Sequence, residues 1–279
     1  MDNLQRIALL IDADNTQIGK LEEVIREIST YGRIVVKKAF GNWRKDSLKN
    51  WEEEIKRLAI NANQQFDYVS GKNVSDIALV IDAMDMLYKD LYDAFVIVSS
   101  DSDYTPLAIR IHESGVFVIG VGEKKTPVPF RNACDEFIFL ENLGEDSQNV
   151  EVNKKKRLAS KKSSKNKKNK SKDSKKTTAP LEEKTEVVSQ DKSEDDTVES
   201  INELHRLLKI AYDRYQEDDG YVNVASAGTF IKRAMPDFDS RTFGYSKLPQ
   251  LVEDFPEKYE VVRKSGKGTT TIVAYKCVD

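Results

Sequence analysis

Residues 147–198 constrain what this chain can fold into more than any other stretch. They are rich in Lys, Ser, Thr, Asp and Glu and carry no aromatic. Such a composition cannot bury enough apolar surface to offset the entropy of ordering. The sequence therefore predicts a disordered linker between two folded bodies, residues 1–146 and 199–279. At roughly 5–6 Å per root residue, a flexible linker of this length spans about 40 Å r.m.s.. Two bodies so joined could act on one extended ligand.

The net charge of −3 hides a segregation. Residues 153–176 hold 13 Lys and Arg against one Asp, a sum of +12, so the rest of the chain sums to −15. A lysine block of this kind contacts phosphates without sequence choice, and its grip weakens steeply with salt. The plainer reading is a solubilising spacer, partly neutralised by the nearby "SEDDTVES". Contact with RNA is the reading favoured here.

The two cysteines, Cys134 and Cys277, stand far apart, and His112 and His205 stand alone. That spacing argues against a structural zinc site and a disulfide framework, and it fits a reducing cytoplasm. The start, "MDNLQRIALLIDADN", reads as a strand rather than a signal peptide, and no stretch is long enough to cross a bilayer.

Residues 1–146 alternate two periodicities. The uninterrupted apolar run at 6–11 predicts a strand covered on both faces, and 33–40, 94–99 and 116–122, with shorter segments at 65–70 and 136–141, read as further strands. Between them, 19–31, 47–62, 75–90 and 104–114 place apolar residues at helical spacing, with Trp51 on an apolar face. The expectation is an α/β fold with a mainly parallel, doubly wound sheet. In such sheets ligands bind beyond the carboxyl ends of the strands.

Acids stand where that rule points. Asp12 and Asp14 follow the first strand, with Asn15 next; Asp76 opens the helix after the third strand; Asp101 and Asp103 follow the fourth. Asp82, about one and two-thirds turns beyond Asp76, points elsewhere or deeper. Either Asp14 or Asp103 alone would read as a helix cap. Together, acids at equivalent strand ends must be neighbours, and clustered carboxylates need a cation. Hard oxygen donors select Mg²⁺ or Mn²⁺, which can activate water and hold phosphate oxygens. No Ser-His or Cys-His pairing competes. Ser99 and Ser100 are placed to orient carboxylates or substrate.

Three segments, "IALLIDADNTQ", "GKNVSDIALVIDAM" and "FVIVSSDSDYTPLA", resemble in family order the NYN domain, a group of PIN-like nucleases with a Rossmann-like sheet. The resemblance spans residues 5–141. It implies a metal-dependent ribonuclease in which Asp12, Asp76, Asp101 and Asp103 hold Mg²⁺ or Mn²⁺ and serve catalysis. Asn15 would be the polar companion of Asp12, and Asp82 an associated acid. Ser100 and Ser102 stand where that family often has glycine. Two alternatives remain at this stage. One is an RNA-binding adaptor that keeps the fold without turnover. The other is a haloacid-dehalogenase-type phosphatase, since "DADNT" fits D-x-D-x-T, though no Ser or Thr motif closes the second strand.

Candidate RNA contacts are Lys72, which reads equally as a phosphate contact or a solvated loop lysine, and Trp43 with Arg44, where the aromatic among cations could equally stack a base or pack in the core. In the C-terminal body, helical patterns at 198–215, 226–235 and 239–254 precede two alternating segments around "SGKG". This is a winged-helix arrangement. "FGYSKLPQLVEDFPEKYEVV" resembles the LOTUS (OST-HTH) domain, over about 198–279, and implies RNA binding. Arg241, Tyr245 and Lys247 on the third helix, and Lys267 near the wing, are its candidate contacts. With 12 basic and 13 acidic residues, the body must rely on a local patch. A protein partner for it and a homodimer are further expectations.

Overall fold

The computed structural model describes residues 4–67, 73–144, 192–217, 219–265 and 271–278. The expected linker lies outside them up to residue 191, but from Lys192 the chain is helical. Contacts divide the chain into two units. The first holds residues up to Gly144 together with Ala225–Thr242; the second holds the rest.

The first unit carries β1 (Leu4–Asp12), α1 (Leu21–Ile28), β2 (Gly32–Gly41), α2 (Trp51–Arg57), β3 (Asn61–Gln64) and α3 (Val74–Tyr88). Then follow β4 (Ala94–Val98), α4 (Thr105–Glu113), β5 (Phe117–Gly122), α5 (Val128–Asn132) and β6 (Glu136–Phe139). All six strands are parallel, in the order β3-β2-β1-β4-β5-β6. Successive side chains of a strand face opposite layers. Ile7, Leu9 and Ile11 therefore meet Leu21, Val24 and Ile28 of α1 and Trp51 of α2. Ala8 and Leu10 meet Leu79 and Ala83 of α3, with Leu107 and Ile111 of α4. Both layers are buried, which is why β1 reads as an unbroken apolar run. Each such Leu or Ile contributes roughly 1.5–3 kcal/mol by leaving water.

Two elements depart from expectation. The third strand is Asn61–Gln64, not 65–70. It lies at the sheet edge, pairs only with Lys38–Gly41 and is at least partly exposed throughout, so it carries no apolar pattern. The helix expected over 47–62 shortens to α2, because Ala59 turns the chain at φ 51°.

The second unit holds α6 (Lys192–Tyr215), β7 (Val222–Asn223), α8 (Leu248–Glu253), β8 (Tyr259–Ser265) and β9 (Thr271–Cys277). Between β7 and α8 in sequence lies α7 (Val224–Ala234). The strands form an antiparallel sheet ordered β7-β9-β8. Tyr275 of β9 donates from its hydroxyl to the Leu208 carbonyl of α6 at 2.7 Å, tying sheet to helix. The third helix does not run over 239–254. It is a 3-10 turn, Ser240–Phe243, and then α8. Gly244 at φ +81° breaks the helix between them. Pro249 then sits in the first turn of α8, where its missing N–H costs nothing.

Candidate functional site

Because β1 and β4 are parallel neighbours with Ile11 level with Val98, Asp12 and Ser99 leave the sheet side by side. Asp12 is only 1% exposed. Its Oδ2 accepts from Ser99 Oγ at 2.8 Å and from Asn15 Nδ2 at 2.8 Å. Its Oδ1 accepts the Asp14 amide at 3.2 Å. The Ser99 hydroxyl in turn accepts the Asp101 amide at 3.1 Å. Asp101 then caps the turn Ser102–Tyr104, its Oδ1 accepting the Asp103 amide at 2.9 Å.

Two further acids arrive through side chains of the same loops. Tyr104, buried at the start of α4, donates to Asp76 Oδ1 at 2.7 Å. Asp103 Oδ2 accepts from Asn73 Nδ2 at 3.0 Å, beside the start of α3. Asp14 accepts from Ser75 Oγ at 3.2 Å and pairs with Lys45 Nζ at 3.1 Å.

The electrostatics follow from this crowding. Burial pushes the Asp12 carboxyl up to about 6; hydrogen bonds from Asn15 and Ser99 oppose the rise, and the charges of Asp76 and Asp14 add to it. Asp76 is also raised, first by burial and then, against the Tyr104 hydrogen bond, by Asp101, Asp14 and Asp103. Asp76 and Asp103 thus share one electrostatic site with Asp12 and Asp101. Asp82 does not join it: it pairs with Lys38 of β2 at 2.6 Å.

Next to these acids lies a polar cleft of about 440 Å³, lined among others by Asp14, Asn15, Ser100, Asp101, Glu123 and Lys125. Glu123 and Lys125 were missed in the sequence, although Glu123 follows the end of β5 and obeys the strand-end rule used for Asp12. Hydrogen bonds from Lys125 and then Gln17 lower the Glu123 carboxyl. Gly122 brings β5 in close. A Cβ there would lie 2.7 Å from the Ser99 carbonyl oxygen.

Residues 6–141 match the NYN domain family, and residues 199–271 match the OST-HTH/LOTUS domain family. This chain carries an NYN domain followed by a LOTUS domain. The NYN family is one of PIN-like nuclease-type domains, and the LOTUS family is known for binding RNA. The uncharacterized protein MJ0482 of Methanocaldococcus jannaschii is 27% identical over 162 residues, 54% of this chain. The match covers 62% of the length of that relative. A crystal structure of a protein of unknown function, VPA0982 from Vibrio parahaemolyticus, is 18% identical with a TM-score of 0.41; it covers 50% of this chain and 94% of its own. A solution structure of an uncharacterized protein from Nitrosomonas europaea, locus NE0665, is 19% identical with a TM-score of 0.25, covering 38% and 92%.

The remaining candidates of the NYN domain separate by environment. Trp43 is partly buried. It packs on Trp51, ring centroids 5.9 Å apart, against the core formed with α1. Arg44 is exposed, and Lys72 lies outside the described residues. In the LOTUS domain, Tyr245 and Lys247 fall on the turn before α8 rather than on a helix. Tyr245 donates to Asp254 Oδ2 at 2.6 Å, and Lys247 is exposed at the N-cap of α8. Arg241 pairs with Asp239 at 2.8 Å and with Glu27 at 3.2 Å, so its charge is already answered. Lys267 lies outside the described residues.

Among the described residues no three acids stand close enough to enclose an ion as they are placed. No helix among them is long and apolar enough to cross a membrane.

Proposed function

We propose that this protein is a ribonuclease: its NYN domain cuts with Mg²⁺ or Mn²⁺, and its LOTUS domain and basic linker hold RNA. The observation that carries this reading is Asp12, buried to 1% exposure with acids rather than cations for neighbours. A buried acid left uncompensated is costly, and such residues cluster at functional sites. The carboxylates gathered at this edge are hard oxygen donors, the kind a divalent cation takes, although as placed no three of them among the described residues enclose an ion. Asp12, Asp76, Asp101 and Asp103 would hold the ion. Once bound, it would lower the pKa of a water and offset phosphate charge.

The chain's own groups have separable tasks. Asn15 commits Nδ2 to Asp12 and lines the cleft, which leaves Oδ1 to orient an attacking water. Asp101 commits Oδ1 to the Asp103 amide, leaving Oδ2 to accept a proton. Lys125, at the cleft wall, would meet a phosphate oxygen. In the phosphatase alternative Asp12 would attack phosphorus, yet it is buried and both its oxygens accept hydrogen bonds.

A second reading, an RNA-binding adaptor without turnover, draws on the spacing of the acids and on the Lys45 ion pair that already occupies Asp14. One experiment separates them. Labelled single-stranded and structured RNAs are incubated with the chain in Mn²⁺ or Mg²⁺, beside Asp101→Asn and with EDTA. Cleavage lost in both controls supports the ribonuclease. Binding without cleavage favours the adaptor, and equal cleavage by Asp101→Asn sinks the assignment. Cys134 and Cys277 form no disulfide, and a reducing cytoplasm is the proposed compartment.

A further inference from the structure

The loops that follow β2 and β3 share a sheet edge with Asp12, and side chains lace them together. Gln64 Nε2 donates to Asn42 Oδ1 at 3.0 Å, and the Trp43 amide donates to Gln64 Oε1 at 3.1 Å. Asn42 Nδ2 donates to Asp67 Oδ2 at 3.1 Å. Lys45 joins this lattice to the acidic site, 3.1 Å from Asp14 and 3.7 Å from Asp67.

Within this frame the two aromatics face opposite ways. Trp43 turns inward onto Trp51, while Phe66 stays 53% exposed. The Arg44 guanidinium carbon lies 5.1 Å from the centre of the Phe66 ring. Among the described residues Arg44 has no carboxylate within ion-pair distance. Phe66 thus adds little to the core and Arg44 no ion pair, yet both are held in place by the lattice. The fold gives neither residue a task.

We propose that Phe66 and Arg44 form a stacking platform for an unpaired base of the RNA that the NYN domain acts on, a proposal that rests on the ribonuclease reading. Unstacked bases bind to aromatic rings and to guanidinium planes, with little dependence on sequence. In sheet order β3 lies two places from β1. At ~4.8 Å per strand that is about 10 Å from the Asp12 strand. Phe66 lies two residues beyond β3, so a base on it would belong to a nucleotide a few steps along the RNA strand from a phosphate held at the acids. Bases in a duplex have their faces covered by neighbours, so the platform selects single-stranded RNA.

The test uses the full chain carrying Asp101→Asn, so that RNA stays intact, and single-stranded RNAs with 2-aminopurine at successive positions. Fluorescence should be quenched at a defined position. Phe66→Ala should abolish that quench and weaken binding roughly 5- to 150-fold, the range for losing one stacked base. Phe66→Trp should restore both, and Arg44→Ala should give a smaller loss. Unchanged quench and affinity in Phe66→Ala and Arg44→Ala overturn the platform. Cleavage in the otherwise wild-type chain separates the two readings. If it cleaves and Phe66→Ala keeps its KM, the platform fails while the ribonuclease stands. If it cleaves no RNA but the Phe66-dependent quench persists, the ribonuclease fails while the platform stands.

Discussion

Ser99 Oγ donates to Asp12 Oδ2 at 2.8 Å and accepts the Asp101 amide at 3.1 Å. One hydroxyl thus sets the terminal acid of β1 against the acid loop of β4. Ser99→Ala removes a donor from a buried carboxylate and an acceptor from a backbone amide. The expected cost is about 1–3 kcal/mol of stability, read by denaturant unfolding. Cleavage should fall further than the unfolded fraction explains, measured where the variant remains folded.

Tyr104 touches no solvent-exposed part of the cleft, yet its hydroxyl orients Asp76 at 2.7 Å. Tyr104→Phe keeps the ring in its layer and deletes only that donor. Groups that orient metal ligands typically matter 10- to 100-fold. The Mn²⁺ concentration for half-maximal cleavage should therefore rise by roughly that factor, while the melting temperature in EDTA changes little. An unchanged Mn²⁺ titration would remove Tyr104 from the site.

Asp12→Asn should abolish cleavage and stabilise the metal-free chain. The folded carboxyl, raised to about 6 chiefly by burial, lies above its unfolded value of 3.8. Its favourable contribution is full below the unfolded value and is lost as pH rises through about 6. Above that window ionisation costs up to about 3 kcal/mol, at ~1.4 kcal/mol per pKa unit. In EDTA the stability advantage of Asp12→Asn should widen from pH 4 to about 6 and then level off. A gap that does not vary with pH would contradict the assigned burial cost.

His205 gives the LOTUS domain the opposite dependence. Its Nδ1 lies 2.8 Å from the Tyr259 hydroxyl, and its ring packs edge-on to Phe255. Burial, then the charge of Lys258, lowers it to about 4. The unfolded chain takes up the proton near 6.5. Stability is therefore full above about 6.5 and is lost as pH falls toward 4. His205→Phe keeps an aromatic there and should flatten this part of the melting-temperature profile, measured against the wild type across pH 4–7.

The sheet was legible because β1, β4 and β5 are buried on both faces, so their apolar runs have no polar interruption to hide them. β3 was not, since an edge strand reading Asn-Ala-Asn-Gln owes its conformation to pairing with β2. The acids after β1 and β4 could be read from position alone, because parallel strands deliver their ends to one edge. Glu123 obeys the same rule but was overlooked beside the glycines of β5. The inward turn of Trp43 depends on its meeting Trp51, a contact made by folding rather than by spacing. The break of the third LOTUS helix at Gly244 hid behind an otherwise helical apolar pattern.

Strand order has a consequence in time. Asp12 and Ser99 stand 87 positions apart, and β4 enters the sheet beside β1 only after β2 and β3 have been made. A chain still emerging from the ribosome can pair its first three strands, but it has no Asp101 and no hydroxyl to set Asp12. The acidic edge is therefore complete only once β4 has joined β1, about a third of the way along the 279 residues, and all of it is made before the C-terminal unit.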